Sequence, residues 1–197
     1  MLDATGGVNT HKGAIFSIGI ACAALGRLER SLWGDPARVL QEIAAMTAGL
    51  TERDFAGVTA ENAVTAGQKL YLQYGITGVR GQVEAGLPAV RDYGLPALEN
   101  GLAQGYDLNR SGCGALLAIL ANSTDTNIIA RSSRERQQAL VQELKALLTR
   151  TPYPDEAALA ALDDSFRAER LSPGGSADLL ALTYLLYFFK TEDNGHV

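Results

Sequence analysis

Three glycine-rich turns carry most of the polar side chains in this sequence that could hold an anion. Each turn leads into a stretch of helical hydrophobic periodicity, where unpaired backbone N–H groups and the helix dipole favour negative charge. The turns are residues 6–13, with Asn9, Thr10, His11 and Lys12; residues 75–81, with Arg80; and residues 173–178, with Gly174, Gly175 and Ser176. Each of them is also compatible with an ordinary capped helix or a flexible turn. The three together favour a polyphosphate ligand.

Three acidic residues lie in or near these polar segments, namely Glu84, Asp125 and Asp178. They are candidate Mg²⁺ ligands, because Mg²⁺ on a nucleotide takes one or two carboxylates besides the phosphates. Arg131 supplies a cation close to Asp125. The structural alternatives are that Glu84 pairs with Arg80, that Asp125 caps a turn and that Asp178 serves its helix dipole. A shared site requires the three acids to converge on one cleft, which we expect.

Composition excludes several classes of function. The net charge of -5 and the pI near 5.1 argue against nucleic-acid binding, which needs a basic face. Cys22 and Cys113 lie in apolar helical patterns, so we expect buried free thiols in a reducing, cytoplasmic compartment. No signal peptide is visible, and the apolar stretch 177–189 is shorter than the roughly 20 residues of a membrane helix. The P-loop, HExxH, GxSxG and GxGxxG motifs are absent from the sequence.

Hydrophobic periodicity predicts an all-α protein, with a single helical domain over residues 1–197 and about seven to nine helices joined by glycine-rich loops. Asp35, which a proline follows, predicts a helix start, and Thr59 predicts another. Ser132 with Glu135 three residues later predicts a capping box. Ser176 is predicted to cap the last helix. No segment shows the sustained alternation of apolar and polar residues that a strand requires.

Four motifs closely resemble those of the triphosphoribosyl-dephospho-coenzyme A synthase family. They are Val8-Asn-Thr-His-Lys-Gly-Ala-Ile-Phe16; Tyr74-Gly-Ile-Thr-Gly-Val-Arg-Gly81 with Glu84-Ala-Gly86 and Pro88; Asp125-Thr-Asn127; and Leu171-Ser-Pro-Gly-Gly-Ser-Ala-Asp-Leu-Leu-Ala181. They occur in the family's order and span nearly the whole chain, and the first and last are long and specific. The chain resembles the C-terminal two-thirds of such an enzyme.

The resemblance implies a transferase that moves the triphosphoribosyl group of ATP onto 3'-dephospho-coenzyme A and releases adenine. The product is the precursor of the prosthetic group on an acyl carrier subunit, as in citrate lyase or malonate decarboxylase. Substitution at an anomeric carbon needs carboxylates near the developing positive charge and a base for the incoming hydroxyl. Glu84 and Asp178 are the candidate catalytic residues, and Glu84, Asp125 and Asp178 the candidate Mg²⁺ ligands. The candidate phosphate-binding residues are Asn9, Thr10, His11, Lys12, Arg80, Arg131, Gly174, Gly175 and Ser176.

The sequence departs from the family pattern in ways that bear on activity. Family members carry an upstream segment with further acidic residues, whereas this chain starts almost at its first motif. After Asp-Thr-Asn the family has His-Arg-Gly-Gly, and in residues 130–133 only Arg131 matches. Gln82 stands in place of a family glutamate. The alternative is therefore a non-catalytic nucleotide-binding fragment, or one half of a two-chain enzyme, completed by the missing N-terminal segment or by self-association.

Overall fold

The computed structural model describes residues 3, 6 and 12–194, with side chains up to position 192. This part of the chain folds into eleven α-helices and contains no strand, which confirms the predicted all-α class. Eight of the helices have nine residues or more, and the other three have six. The helices are α1 (Lys12–Arg27), α2 (Pro36–Thr47), α3 (Leu50–Phe55), α4 (Ala66–Tyr74), α5 (Val79–Glu84), α6 (Leu95–Ala103), α7 (Leu108–Asn122), α8 (Thr126–Arg131), α9 (Arg134–Arg150), α10 (Glu156–Ala168) and α11 (Gly174–Asn194).

Two short helical segments lie between the α-helices, one of the 3₁₀ type and one of the π type. A 3₁₀ turn, Arg30–Leu32, links α1 to α2, and a π-helical segment, Val90–Gly94, runs directly into α6. In a π-helical turn each N–H group bonds to the carbonyl five residues earlier instead of four. The extra residue rotates the side chains that follow around the helix axis. Within residues 12–194, no helix combines the length and apolar character that crossing a bilayer requires.

Capping side chains explain two helix starts that the sequence predicts to within one residue. The carboxylate of Asp35 accepts hydrogen bonds from the backbone N–H groups of Ala37 and Arg38, at 3.0 and 3.3 Å, and proline occupies the first position of α2. The capping hydroxyl of α9 belongs to Ser133, one residue after the predicted Ser132, and accepts from Arg136 N.

Two predicted helix starts are wrong. Thr59 does not open a helix; its N–H group instead donates to Asn62 Oδ1 at 2.8 Å in a local turn. The next helix, α4, begins at Ala66, and Thr65 with Gln68 forms the capping box. The last helix begins at Gly174, two residues before the predicted cap Ser176, whose hydroxyl donates to a side chain of another helix.

The larger of two hydrophobic clusters joins α1, α2, α5 and α11 to the segment that leads into α6. The apolar stretch 177–189 therefore belongs to a core helix, as its length indicates. The fully or almost fully buried members of this cluster are Ala21, Ala24, Leu25, Val39, Leu40, Ile43, Val83, Leu87, Ala89, Val90, Leu95, Ile119, Leu179, Leu182 and Leu186. Helix α1 buries its neighbouring Ala21, Ala24 and Leu25 but exposes Cys22, so the predicted burial of Cys22 is wrong. Cys113 is half-buried.

The second cluster lies between α7, α8, α9 and the segment before α11. Its buried members are Leu117, Leu120, Ala121, Ile128, Leu140, Leu144 and Leu171. Helix α7 contributes to both clusters and packs closely on α11, where a Cβ at Gly112 would lie 1.6 Å from Tyr184 Oη. The starts of α8 and α11 contact each other where the two clusters adjoin. They form one side of the candidate site.

Candidate functional site

A cavity of about 420 Å³ opens where five helices begin. Its walls come from the first residues of α1, α4, α5, α8 and α11, together with the loop residues that precede α4, α5, α8 and α11. Three of these helices, α1, α4 and α11, have 16, 9 and 21 residues. The first N–H groups of a helix lack partners within it, and its N-terminal end carries a partial positive charge. The cavity therefore suits an anion with several charges.

Asp125 is the buried acid of this cavity, with 2% of its surface exposed. Its Oδ1 accepts from Asn127 N at 2.9 Å and thereby caps α8. Its Oδ2 accepts from the N–H group and the hydroxyl of Ser176, at 2.8 and 2.9 Å. Three donors thus compensate the desolvation of the carboxylate, and the side chain ties the start of α8 to the first turn of α11.

Asp178 is the half-buried acid of the cavity and lies against the first turn of α1. A Cβ built on Gly13 would stand 2.0 Å from Asp178 Oδ2, which is far inside van der Waals contact. Only glycine therefore lets this carboxylate reach the α1 backbone. A negative charge at this place is favoured by the α1 dipole, as well as by that of its own helix.

The two glycines that open α11 also lie in tight contact with polar side chains. A Cβ on Gly174 would lie 2.8 Å from Asn127 Nδ2, and one on Gly175 would lie 3.2 Å from Asp125 Oδ1. The backbone of α11 thus approaches the polar side chains of α8 without intervening atoms. The resulting floor of the cavity consists of peptide N–H groups, amides and carboxylates.

Lys12 and Arg131 are the cations that line the cavity, and both are exposed. Lys12 stands at the start of α1 and Arg131 at the end of α8. Arg131 makes no ion pair with any residue in the described ranges. Two flexible cations at the rim, above a floor of helix starts, provide the positive field that a polyphosphate needs.

Arg80 does not line this cavity. Its Nε donates to Asp54 Oδ2 at 2.5 Å, and its guanidinium lies over the rings of Phe16 and Phe55, at 5.9 and 5.5 Å from their centroids. The alternative that Arg80 pairs with Glu84 is also wrong. Arg80 lies early in α5, and its side chain is directed to α3 and α1 by the acid and aromatic rings that those helices supply.

Glu84 does not join the other two acids, so the expected convergence of three carboxylates is wrong for this residue. Its two oxygens accept from Gly49 N at 2.7 Å and Thr51 N at 3.1 Å, at the start of α3. The N-cap of α3 is glycine, so Glu84 supplies the acceptors that a capping side chain would otherwise provide. Among the residues described, no three His, Cys, Asp or Glu side chains are close enough to hold a metal together.

The structure adds cavity residues that sequence reasoning missed. They come from the start of α4, from α5 and from the loop before α8: Thr65, Ala66, Gly67, Gln82, Ser123 and Thr124. Gly78 also lines the cavity and belongs to the glycine-rich turn 75–81 that the sequence indicates. The Thr65 and Gln68 capping box was visible in the sequence and marks one of these helix starts. Gln82 carries no charge, and its place in the cavity follows only from the packing of α5. Asn9, Thr10 and His11 lie outside the described residues.

The match to known proteins agrees with this arrangement. Residues 1–196 match the family model of ATP:dephospho-CoA triphosphoribosyl transferases. The chain belongs to this family. No solved structure matches it.

Relatives of this triphosphoribosyl transferase family member cover almost all of the chain. It is 42% identical over 193 residues to the 2-(5''-triphosphoribosyl)-3'-dephosphocoenzyme-A synthase of Pectobacterium atrosepticum, covering 98% of this chain and 63% of that protein. The probable synthases of Pectobacterium carotovorum and Citrobacter koseri are also 42% identical, over 98% and 94% of this chain. The chain spans 63% and 62% of the length of those two relatives.

Proposed function

We propose that this chain carries the nucleotide site of the family's reaction, in which the triphosphoribosyl group of ATP is transferred to 3'-dephospho-coenzyme A. The observation that carries the proposal is the convergence of five helix starts, two cations and two carboxylates on one cavity. Its volume of about 420 Å³ lies within the range of roughly 300–1,000 Å³ that is usual for small-molecule sites. ATP is an intracellular metabolite, so the proposal places the chain in the cytoplasm.

The triphosphate would occupy the floor of the cavity, against the starts of α1 and α11. The dipoles of these two long helices would attract the phosphates, whereas the space beside Gly174 and Gly175 is already filled by Asn127 and Asp125. Lys12 and Arg131 would close over the outer oxygens from the rim. Asp125 and Asp178 stand at these same helix starts, so a magnesium ion between them and the phosphates would offset the repulsion.

The reaction exchanges one bond at the anomeric carbon of the ATP ribose. The bond from C1' to the adenine nitrogen breaks, the bond from C1' to the acceptor's ribose oxygen forms, the hydroxyl loses its proton, and adenine leaves after gaining one. Positive charge develops on the ribose ring as the adenine departs. Asp178 lines the cavity at the first turn of α1 and can stabilise this charge, whereas Asp125 is almost fully buried. We propose Asp178 as the electrostatic catalyst.

The residues present fit a magnesium ion that arrives with the nucleotide. Mg²⁺ ordinarily keeps several waters and takes one or two carboxylates together with substrate phosphates. Asp125 and Asp178 supply that number of carboxylates, whereas a site made of three protein ligands has no counterpart in the described residues. The ion would neutralise part of the triphosphate charge. The carboxylate of Glu84 lies at the start of α3 and does not line the cavity, so it is not a ligand in this arrangement.

Adenine release tests the proposal. The purified chain is incubated with ATP, MgCl₂ and dephospho-coenzyme A, and adenine is measured by chromatography alongside the mass of the coupled product. We expect equal amounts of adenine and product, and a loss of at least about 100-fold for Asp178→Asn. Asp164→Asn is the matched control, because Asp164 is an exposed aspartate outside the cavity. ATP binding without adenine release would support the alternative of a non-catalytic nucleotide-binding chain.

A further inference from the structure

A second cavity, of about 400 Å³, lies beside the first and shares a wall with it. The shared wall is Ser123 and Thr124, which line both cavities and follow directly after α7. The rest of the second cavity is formed mainly by α9, with Ile76 and Tyr93 on the opposite side. A molecule bound there would approach the first cavity across a wall made of two small polar residues.

The second cavity is lined by two cations and no acid, in a chain whose net charge is -5. The cations are Arg134 and Lys145, on the same helix α9. Neither makes an ion pair with a described residue. The other polar side chains on its walls are mostly amides, which can donate to phosphate oxygens: Asn122, Gln137, Gln138 and Gln142. This lining suits a phosphorylated ligand.

The structure also holds these groups in place. The guanidinium of Arg134 lies 5.1 Å from the ring centroid of Tyr74. Gln137 is 4% exposed, and its Nε2 donates to Ser123 O at 3.1 Å, which fixes the shared wall to α9. The apolar side chains of Ile129 and Val141 supply a surface for an uncharged part of the ligand.

We infer that the second cavity is the subsite for the acceptor, and that Arg134 binds its diphosphate. Lys145 lies 11 residues further along α9, about 16 Å along the helix axis, so it adds to the positive field and makes no second contact with the same diphosphate. This inference rests on the proposed function, which requires a second substrate beside the ATP site. Dephospho-coenzyme A has a diphosphate between its adenosine and its pantetheine arm, and its nucleophilic hydroxyl lies on the adenosine ribose. A diphosphate held on α9 brings that ribose to Ser123 and Thr124, across which the hydroxyl faces the first cavity.

Steady-state kinetics and calorimetry of single variants test the inference. We expect Arg134→Ala to raise the KM and the Kd for dephospho-coenzyme A about 10-fold and Lys145→Ala to raise them by a smaller factor, with the KM for ATP changed less than about twofold. Arg134→Lys keeps the charge and should restore part of the affinity. Arg150→Ala is the matched control, since Arg150 is an exposed arginine of α9 outside both cavities. Circular dichroism verifies that each variant is folded.

The outcomes separate this inference from the proposed function. If adenine is released but Arg134→Ala and Lys145→Ala leave the KM for dephospho-coenzyme A unchanged, or raise that for ATP instead, the acceptor subsite is elsewhere and the reaction stands. If the wild-type chain releases no adenine, calorimetric titration with dephospho-coenzyme A alone still tests whether the second cavity binds it. Binding that both variants weaken supports the subsite, and an absence of binding overturns it.

Discussion

The carboxylate of Asp125 accepts two hydrogen bonds from Ser176, one from its N–H group and one from its hydroxyl. These residues are 51 positions apart, and their contact joins the starts of α8 and α11 at the floor of the nucleotide cavity. The alternative that Asp125 caps backbone and the hypothesis that it faces a ligand are therefore compatible, because one side chain caps α8 and lines the cavity.

Asp125→Ala should destabilise the fold as well as the site. It leaves three donors without their acceptor, two of them on buried Ser176, so we expect a loss of about 2–3 kcal/mol in the free energy of unfolding. Urea denaturation followed by circular dichroism measures this loss. Asp125→Asn keeps one acceptor oxygen and should cost less. Equal stability of Asp125→Ala and the wild type would contradict the assigned hydrogen bonds.

Two glycines of α1 should respond to alanine in opposite ways. Gly13→Ala places a methyl group where the carboxylate of Asp178 now lies, so we expect weaker ATP binding by about 10-fold and lower stability. Gly19→Ala meets nothing within 4 Å and should stabilise the helix by up to about 1 kcal/mol. Calorimetric ATP titration and thermal unfolding measure both. A Gly13→Ala chain that binds ATP like the wild type would show that Asp178 does not need this contact.

Glu84 should prove to be a structural acid. Glu84→Gln retains one acceptor oxygen for the start of α3 but loses the charge, so we expect a loss of about 1 kcal/mol in stability and little change in the kcat of adenine release. Asp178→Asn serves as the contrast, with a large loss of kcat. A collapse of kcat in Glu84→Gln with the fold intact would return Glu84 to the site.

The ion pair between Glu169 and Arg136 should make part of the stability depend on pH. Hydrogen bonds from the Arg136 guanidinium, at 2.5 and 2.8 Å, lower the pKa of Glu169 below its usual range. A carboxyl whose pKa is lowered by folding adds stability above its unfolded pKa, near about 4.3, and loses it as the pH falls through the folded pKa. Glu169→Gln should thus melt below the wild type at pH 6 and equal to it near about pH 2–3. A difference in melting temperature that is the same at every pH would contradict this.

Sequence reasoning was most successful where the determinant is local. Asp35 before a proline and the missing strand periodicity predict the helix start and the fold class that the structure confirms. It failed where a side chain has a distant partner. Arg80 reaches Asp54 and Glu84 reaches Gly49, which are 26 and 35 positions away. The spacing of four residues between Arg80 and Glu84 predicts an ion pair and contains no information about α3.

The capping pattern of α4 illustrates a different limit of sequence information. Thr59 and Thr65 are both plausible first residues of a helix, and the glutamine three positions after Thr65 is the local feature that distinguishes them. The positions of Gln82 and Thr65 at the cavity depend on the packing of α5 against α1, α2 and α3 and of α4 against α8. The larger hydrophobic cluster holds α5, and these contacts between distant helices have no local sequence pattern.

The most direct test of the central claim is the affinity of the chain for ATP with Mg²⁺, measured by calorimetry in matched arginine variants. Arg131 lines the cavity, whereas Arg80 pairs with Asp54 outside it. We predict that Arg131→Ala raises the Kd for ATP about 10-fold, and that Arg80→Ala leaves it within about twofold of the wild-type value. An Arg80→Ala chain that loses ATP affinity, while Arg131→Ala binds as the wild type does, would contradict the placement of the nucleotide in this cavity.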